Sequence, residues 1–302
     1  MSVLPSLRQL QYLVVLSEHL NFSRAAEFCF VTQSTLSSGL KELEELLGTH
    51  LVERDRKKVL MTPIGLEVVR RARSILAATQ DLSTLAASSG KAMTGPIRIG
   101  VIPTIAPFLL PDFLAVVRAR YPKLLPALRE DTTANLLARL EDGRLDLALI
   151  ALPYESSNFL IEPLFEEELC IVGPKGDPEL KQREIRLSPD ISDHLLLLEE
   201  GHCLRDHTLY ACGPALESSF KRPEATSLLT LLQMVESGLG IGLIPEMAVK
   251  TGLAKSPNLT IRYLKSPSPK RTIALAARRT IPRLDDFKVL AALLREIDAK
   301  GS

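Results

Sequence analysis

The chain changes texture once, at Ser88-Ser89-Gly90-Lys91-Ala92-Met93-Thr94-Gly95-Pro96, and no other feature constrains the fold as much. Before that stretch apolar residues recur at helical spacing; after it, short β-like runs alternate with helical ones. A Ser, Gly and Pro linker between two patterns of different period separates domains. With 302 residues there is chain enough for a core on each side. The expected division is an N-terminal domain over residues 1–61, a linker helix over 62–90 and a larger region over 91–302.

The first segment reads as three short helices. Its apolar positions are Leu10, Leu13, Val14 and Leu16, then Phe22, Ala25, Ala26 and Phe28, then Leu36, Leu40, Leu43 and Leu47, the last four expected in the core. Thr32 is a good N-cap for a third helix beginning at Gln33. This is a helix-turn-helix pattern, with Gln33, Ser34, Thr35, Ser37, Ser38 and Lys41 on the early turns of the third helix. Short hydroxyl and amide side chains at a helix N-terminus can read base edges in the major groove, while the positive end of the dipole meets phosphate. Two β-like runs around His50 to Thr62 then flank a basic tip with four cations in five residues, Arg54, Arg56, Lys57 and Lys58, as a wing on the DNA backbone would require. The formal net charge of +1 averages over the whole chain and does not oppose this local pattern. Aromatic residues at 5% and the absence of Trp argue against single-strand stacking platforms.

Thr62-Pro63 opens a long helix, as cap and first-turn proline. Val68, Ile75 and Leu82 recur every seven residues, with Ala72, Thr79 and Ala86 as a companion row; a coiled-coil seam of this kind predicts a dimer. Beyond Pro96 the expected elements are strands at Ile97–Ile102, Leu124–Arg129 and Leu145–Leu152, with helices at Pro107–Arg120 and Thr133–Glu141. A second set follows, with strands at Leu169–Val172, Leu195–Leu198 and Ile241–Ile244 and a helix at Ser227–Glu236. This βαβα order predicts parallel sheets in two α/β lobes with a ligand cleft between them. Gly238-Leu239-Gly240-Ile241-Gly242 follows a helix and precedes a strand, the reverse of a dinucleotide fingerprint, and reads as a turn.

Gly201-His202-Cys203-Leu204-Arg205-Asp206-His207-Thr208-Leu209-Tyr210-Ala211-Cys212 places two of the four cysteines beside charged and protic groups. If the segment is helical, the two sulfurs stand roughly 13 Å apart along the axis, about twice what a disulfide tolerates. A bond between them would refold the segment. Three readings of the thiols stand side by side: redox chemistry, burial as small hydrophobes, and a zinc site from His202, Cys203, His207 and Cys212. The last lacks paired Cys-x2-Cys spacing. Cys29 and Cys170, in apolar periodic stretches, read as packing. No signal peptide and no apolar run near the ~20 residues of a membrane span is present, so a cytoplasmic protein without membrane contact is expected.

Five segments carry a family likeness: Phe22-Ser23-Arg24-Ala25-Ala26-Glu27, Val31-Thr32-Gln33-Ser34-Thr35-Leu36-Ser37, Leu43-Glu44-Glu45-Leu46-Leu47-Gly48, Leu51-Val52-Glu53-Arg54 and Leu60-Met61-Thr62-Pro63-Ile64-Gly65. They resemble the winged-helix signature of LysR-type transcriptional regulators, and Gly238 to Pro245 is similar to the effector-domain signature of that family. Gly100-Val101-Ile102-Pro103-Thr104, Leu198 to Asp206, Ala225-Thr226-Ser227-Leu228 and Arg271-Thr272-Ile273 resemble its hydrogen peroxide-sensing branch. Ser34 stands where these regulators often carry proline.

The resemblance implies a winged helix-turn-helix, a linker helix and a two-lobed, periplasmic-binding-protein-like α/β effector domain, with lobes of about 91–166 with 270–302, and 167–269. It further implies Cys203 as the peroxidatic thiol, Cys212 as its resolving partner, and a peroxide pocket from Thr104, Thr133, His202, Arg205, Asp206, Thr226 and Arg271. Arg205 or Arg271, with a helix N-terminus, would hold the thiolate. Ser23 and Arg24 join the DNA-binding set. The implied partners are double-stranded promoter DNA, hydrogen peroxide, a second copy through the linker helix and a tetramer of such dimers, RNA polymerase, and a thiol-disulfide reductant. No cofactor or metal is expected. The alternatives are a metabolite-responsive regulator with incidental cysteines and a thiol peroxidase.

Overall fold

The computed structural model describes residues 4–55, 58–87, 92–188, 191, 193–212, 223–266 and 268–301. It divides into two compact units, residues 1–90 with 141–144, and the remainder.

In the first unit, α1 (Leu7–His19), α2 (Phe22–Phe28) and α3 (Gln33–Leu47) are each capped by a side chain: Ser6, Asn21 and Thr32 accept from the backbone N–H of Gln9, Arg24 and Thr35. Leu13, Leu16, Ala25, Leu36, Leu40 and Leu43 close the three-helix core. Leu47 departs from expectation. It is the last residue of α3, beside the left-handed Gly48, and 40% exposed because the core ends one turn earlier, at Leu43. Phe28 is likewise exposed and stacks on the His19 ring at 4.1 Å.

The wing is an antiparallel pair, β1 (Val52–Asp55) and β2 (Lys58–Met61), in register from Val52–Met61 to Asp55–Lys58. Glu44 anchors it from α3, its carboxylate accepting from the backbone N–H of Leu51 and Val52 at 2.7 and 3.1 Å. Thr62 caps α4 (Pro63–Ala87), its hydroxyl accepting from Gly65 N at 2.9 Å. The seam expected along α4 is divided. Ala72 is buried in the winged-helix core and Val68 packs against it, whereas Ile75 and Leu82 are 48% and 68% exposed.

The second unit is two lobes threaded by shared strands. β3 (Gly95–Val101) lies between β4 (Leu124–Glu130) and β5 (Leu147–Leu152), parallel to both, with α5 (Ala106–Arg120) and α6 (Thr133–Glu141) as crossovers. β6 (Phe159–Pro174) then runs 16 residues through both lobes. After it come β7 (Glu184–Ile185), β8 (Leu197–Leu198), α7 (Cys203–Cys212), β9 (Glu224–Ala225), α8 (Leu228–Glu236), β10 (Gly242–Pro245), α9 (Glu246–Lys250), β11 (Leu259–Leu264), β12 (Lys270–Arg278) and α10 (Leu284–Gly301).

The sheet is mixed rather than parallel. Residues Phe159 to Glu168 of β6 pair antiparallel with β12, and Leu169 to Pro174 pair antiparallel with β10 and β11. The cause is connectivity, since one strand carries the chain out of the first lobe and the other brings it back. The expected Leu169–Val172 strand is thus the far half of a longer one. Each lobe has its own core, one around Ile99, Leu149, Ile273 and Leu290, the other around Ile171, Leu196, Leu231 and Ile244. The glycine run is a turn, as expected: Gly238 has φ +77°, and a Cβ on Gly240 would stand 2.4 Å from His194 O.

Candidate functional site

Gly201, with φ +95°, turns the chain from β8 into α7, and Cys203 is the first helical residue. The sequence from Cys203 to Cys212 contains neither Gly nor Pro, and Leu204, His207 and Thr208 give it a buried face. Cys203 belongs to the core of the first lobe, while Leu204 and Cys212 pack in the second. Both cysteines are thiols, not joined in a disulfide. Their nine-position offset along the helix sets them about 13 Å apart along the axis and about half a turn around it. The four candidate zinc ligands therefore cannot converge, and among the described residues no group of His, Cys, Asp and Glu is arranged to hold a metal.

The surroundings of Cys203 are built from three elements. Thr104, after β3, places its hydroxyl 4.0 Å from the Cys203 sulfur. Arg271, at the start of β12, is fully buried and donates from Nη1 to that hydroxyl at 2.8 Å and from Nη2 to the Thr104 carbonyl at 2.9 Å. Its Nε donates to Glu167 Oε2 at 2.8 Å, and the other Glu167 oxygen accepts from Met247 N at 2.8 Å. Thr133, at the start of α6, is buried; its hydroxyl favours the Cys203 thiolate but makes no bond of ordinary hydrogen-bond geometry.

Burial pushes the Cys203 thiol up, and the Arg271 charge and the Thr104 and Thr133 hydroxyls pull against it, while Asp206 adds to the rise. The groups that favour the anion are in place, and in the resting fold desolvation outweighs them. Asp206 is itself raised, by burial first. Burial and then Arg271 hold the His207 imidazole down at about 4.

The remaining expected groups are not brought to the sulfur in the same way. Arg205 donates to the Leu198 carbonyl at 2.9 Å and pairs with Glu224 at 2.6 Å, which ties α7 to β8 and β9; Arg271 is the cation that acts on Cys203. His202 is half-buried and its backbone N–H bonds Glu199 O, and Thr226 is exposed on the turn after β9. Cys29 is half-buried at the end of α2, and Cys170 lies in the second core, where burial pushes its thiol to about 12.

Sequence reasoning missed Glu167. The run Glu166-Glu167-Glu168 lies in a strand, whose alternation sends the middle residue to the opposite face from its neighbours, and only Glu167 is buried. A strand segment with three successive acids was the available signal, since one of them had to face inward and need a cation.

On the helix-turn-helix, Thr32 binds the hydroxyls of Ser34 and Thr35 at 2.9 and 2.8 Å, and Ser23 donates to Gln33 at 3.0 Å, locking α2 to the start of α3. Arg24, Gln33, Ser34, Thr35, Ser38 and Lys41 are exposed, and Ser37 is half-buried. Lys41 pairs with Glu45 at 3.6 Å. Lys58 is exposed on β2, Arg54 stands opposite Val59 in the wing, and Arg56 and Lys57 lie outside the described residues.

Two family descriptions match the chain: "Bacterial regulatory helix-turn-helix protein, lysR family" over residues 7–66 and "LysR substrate binding domain" over residues 90–298. It is 44% identical to the HTH-type transcriptional regulator EstR of Acinetobacter baylyi, over 99% of both chains. It is 38% identical to the DNA-binding transcriptional dual regulator OxyR of Escherichia coli, covering 96% of this chain and 95% of the relative. Among solved structures, a full-length OxyR variant from Pseudomonas aeruginosa is similar with a TM-score of 0.76 at 35% identity, over 97% of this chain and 98% of the other. A peroxide-bound OxyR mutant from Corynebacterium glutamicum is similar at 0.67 and 33%, over 100% and 95%. Among the described residues no helix is long and apolar enough to cross a membrane. With a winged helix-turn-helix at one end, a two-lobed effector unit at the other and these likenesses along its whole length, the chain belongs to the LysR family of transcriptional regulators, among the homologues of OxyR, and is not an enzyme.

Proposed function

We propose that this regulator is an activator of oxidative-stress genes, switched by reversible oxidation of Cys203 and Cys212. The Cys203 thiolate attacks one oxygen of hydrogen peroxide; the O–O bond breaks, the leaving hydroxide takes a proton to become water, and Cys203 is left as a sulfenic acid. Cys212 then attacks that sulfur, the S–O bond breaks, a second water leaves, and a disulfide remains. Arg271, Thr104 and Thr133 favour the anion, and the buried Thr133 hydroxyl can also offer a donor to a peroxide oxygen. The observation that carries the reading is the placement of the two thiols: Cys203 is at the first turn of α7 beside a buried arginine, and Cys212 is at the far end of the same helix. A bond between them requires α7 to unwind.

The DNA-binding set described above reads promoter DNA in the cytoplasm. Ile75 and Leu82, exposed on α4, supply a dimer seam, and pairing of dimers into a tetramer lets oxidation change the spacing of four heads on DNA before RNA polymerase. A dithiol reductant resets the switch. The test is mass spectrometry before and after stoichiometric peroxide. Loss of two hydrogens on a peptide joining Cys203 to Cys212 is expected, and Cys203→Ser abolishes it together with the peroxide response on promoter DNA. Oxidation confined to Cys29 or Cys170 refutes the reading.

A second reading, a regulator answering a small metabolite with incidental cysteines, is kept on one observation, the 44% identity to EstR, a regulator whose name makes no mention of peroxide. In that case Cys203→Ser leaves the ligand response intact.

A further inference from the structure

A cavity of about 500 Å³ lies in the effector unit on a part of α7 that the peroxide chemistry leaves unused. Neither Cys203, Thr104, Thr133 nor Arg271 lines it. Its apolar walls include Leu169, Ile185, Leu187 and Leu264, and α7 contributes His207, Tyr210 and Ala211. Its charged groups are all cations, Arg186, Lys265 and Lys270, and no acidic side chain lines it among the described residues. Lys270 is partly neutralised by Glu166 and Glu168, at 3.5 and 3.8 Å, which leaves Arg186 and Lys265 to set the sign.

Two polar groups in the lining have buried atoms that make no hydrogen bond of ordinary geometry. His207 is 6% exposed, and neither ring nitrogen makes a bond of ordinary geometry, although the Leu152 carbonyl is near enough to favour a proton on the ring. The Ser268 hydroxyl oxygen is in the same condition. An unmet donor or acceptor of this kind costs about 1–3 kcal/mol, and a fold retains two of them in one cavity most readily where something else supplies the bonds. The volume lies in the range of about 300–1,000 Å³ typical of small-molecule sites.

We infer that this cavity binds a small organic carboxylate with an apolar body and a hydroxyl, and that the occupant braces α7 in its helical form. The carboxylate meets Arg186 and Lys265, the apolar body fills the space against Leu169 and Ile185, and the hydroxyl bonds His207, whose neutral ring offers one donor and one acceptor. The brace follows from linkage: three lining residues stand on α7, so a ligand that needs them in helical register binds the reduced fold and opposes any state in which α7 is unwound. This second step rests on the disulfide switch proposed above; the binding step does not.

The probe is 4-hydroxybenzoate, titrated calorimetrically into the reduced full-length chain. Saturable binding is expected, weakened about tenfold or more by Lys265→Glu, an exposed position whose change leaves the cores intact. His207→Phe is expected to weaken it as well. In a second arm, saturating probe slows peroxide-driven closure of Cys203–Cys212. No saturation at millimolar probe, or binding indifferent to both substitutions, overturns the site; binding with an unchanged closure rate overturns the brace. If peroxide gives no disulfide with or without the probe, the failure belongs to the redox reading, and the titration still decides the site.

Discussion

Replacing Arg271 by Met separates what this residue does for the fold from what it does for the thiol. Its guanidinium reaches the Thr104 hydroxyl at 2.8 Å, and that oxygen is 4.0 Å from the Cys203 sulfur. The charge is therefore within about 7 Å of the sulfur, worth about 2 kcal/mol at an effective dielectric of about 20. At 1.36 kcal/mol per pH unit, losing it lowers the thiolate fraction about thirty-fold. Because burial already holds the thiol above its ordinary value of 9.0, the reactive fraction at neutral pH is small, and oxidation slows by the same factor.

Stability falls too, since Glu167 would keep only its bond from Met247 and stay buried without a counter-charge. Breaking such a pair costs about 3–5 kcal/mol. That is within what a domain of ordinary stability survives. The chain has no Trp, so circular dichroism in urea follows unfolding, and stopped flow with thiol trapping follows oxidation at a urea-free baseline. Arg271→Lys keeps the charge but cannot serve Thr104 and Glu167 together, and should recover most of the rate with less of the stability. If Arg271→Met remains folded and oxidises within about twofold of wild type, far from the roughly thirty-fold loss that a charge at this distance requires, the cation is not what activates Cys203.

Raising the pH should speed oxidation of Cys203 about tenfold per unit through neutrality, because a thiol raised by burial gains anion in proportion to hydroxide until its own pKa is passed; a plateau by pH 7 would contradict the burial effect. His207 is held at about 4, below its value of 6.5, so the unfolded chain binds the extra proton between those two pH values; stability is full above 6.5 and is lost as pH falls toward 4, by roughly 3 kcal/mol. His207→Phe should flatten that limb of a urea-midpoint against pH curve, and an unchanged slope would assign the acid sensitivity elsewhere. Gly65→Ala should unseat the wing, since a Cβ there would lie 2.1 Å from the Leu51 carbonyl oxygen; an unaltered melting profile and unaltered promoter binding would count against the packing described. Leu204→Ala should cost the reduced fold about 2–5 kcal/mol of core packing that an unwound α7 does not have. It should move the disulfide potential negative by about 30 mV for each 1.4 kcal/mol, and a positive shift would refute the order of events.

The N-terminal unit was legible in the sequence because its signals are local. Thr32, Thr62 and the apolar rows mark helix starts and faces within a few residues of the structure they make. The wing was legible for the same reason. The sheet was not, because the partners of β6 are β12, more than 90 residues on, and β10 and β11 in the other lobe. Short period-2 runs reveal strands but not which of two sheets takes each half of one. Helix α10 carries Phe287, Leu290, Ala291, Leu294 and Ile297 in the core at plain helical spacing, and was legible in principle. At the site, the segment around Cys203 could be singled out from its residues, and the contribution of Thr104 and Arg271 came only through resemblance. Glu167 and the ties of Arg205 depend on contacts between residues 104 and 19 positions apart, which no spacing rule reaches.

Helix α7 explains why distance, rather than reactivity alone, can make a switch. A ten-residue helix is marginal by itself in water, where about 12–15 residues are needed even with favourable sequences. Its stability is therefore borrowed from packing, and its ends borrow from different places, Cys203 from the core of the first lobe and Cys212 from that of the second. In the proposed reaction a sulfenic acid at Cys203 would add a polar oxygen where the thiol has almost no exposure, weakening the first of those attachments at the moment when the second sulfur would have to travel. On the proposed switch, oxidation would both create the electrophile and loosen the helix end that keeps it from its partner. Two cysteines already in bonding distance would need no such loosening, and their disulfide would leave the lobes as they were.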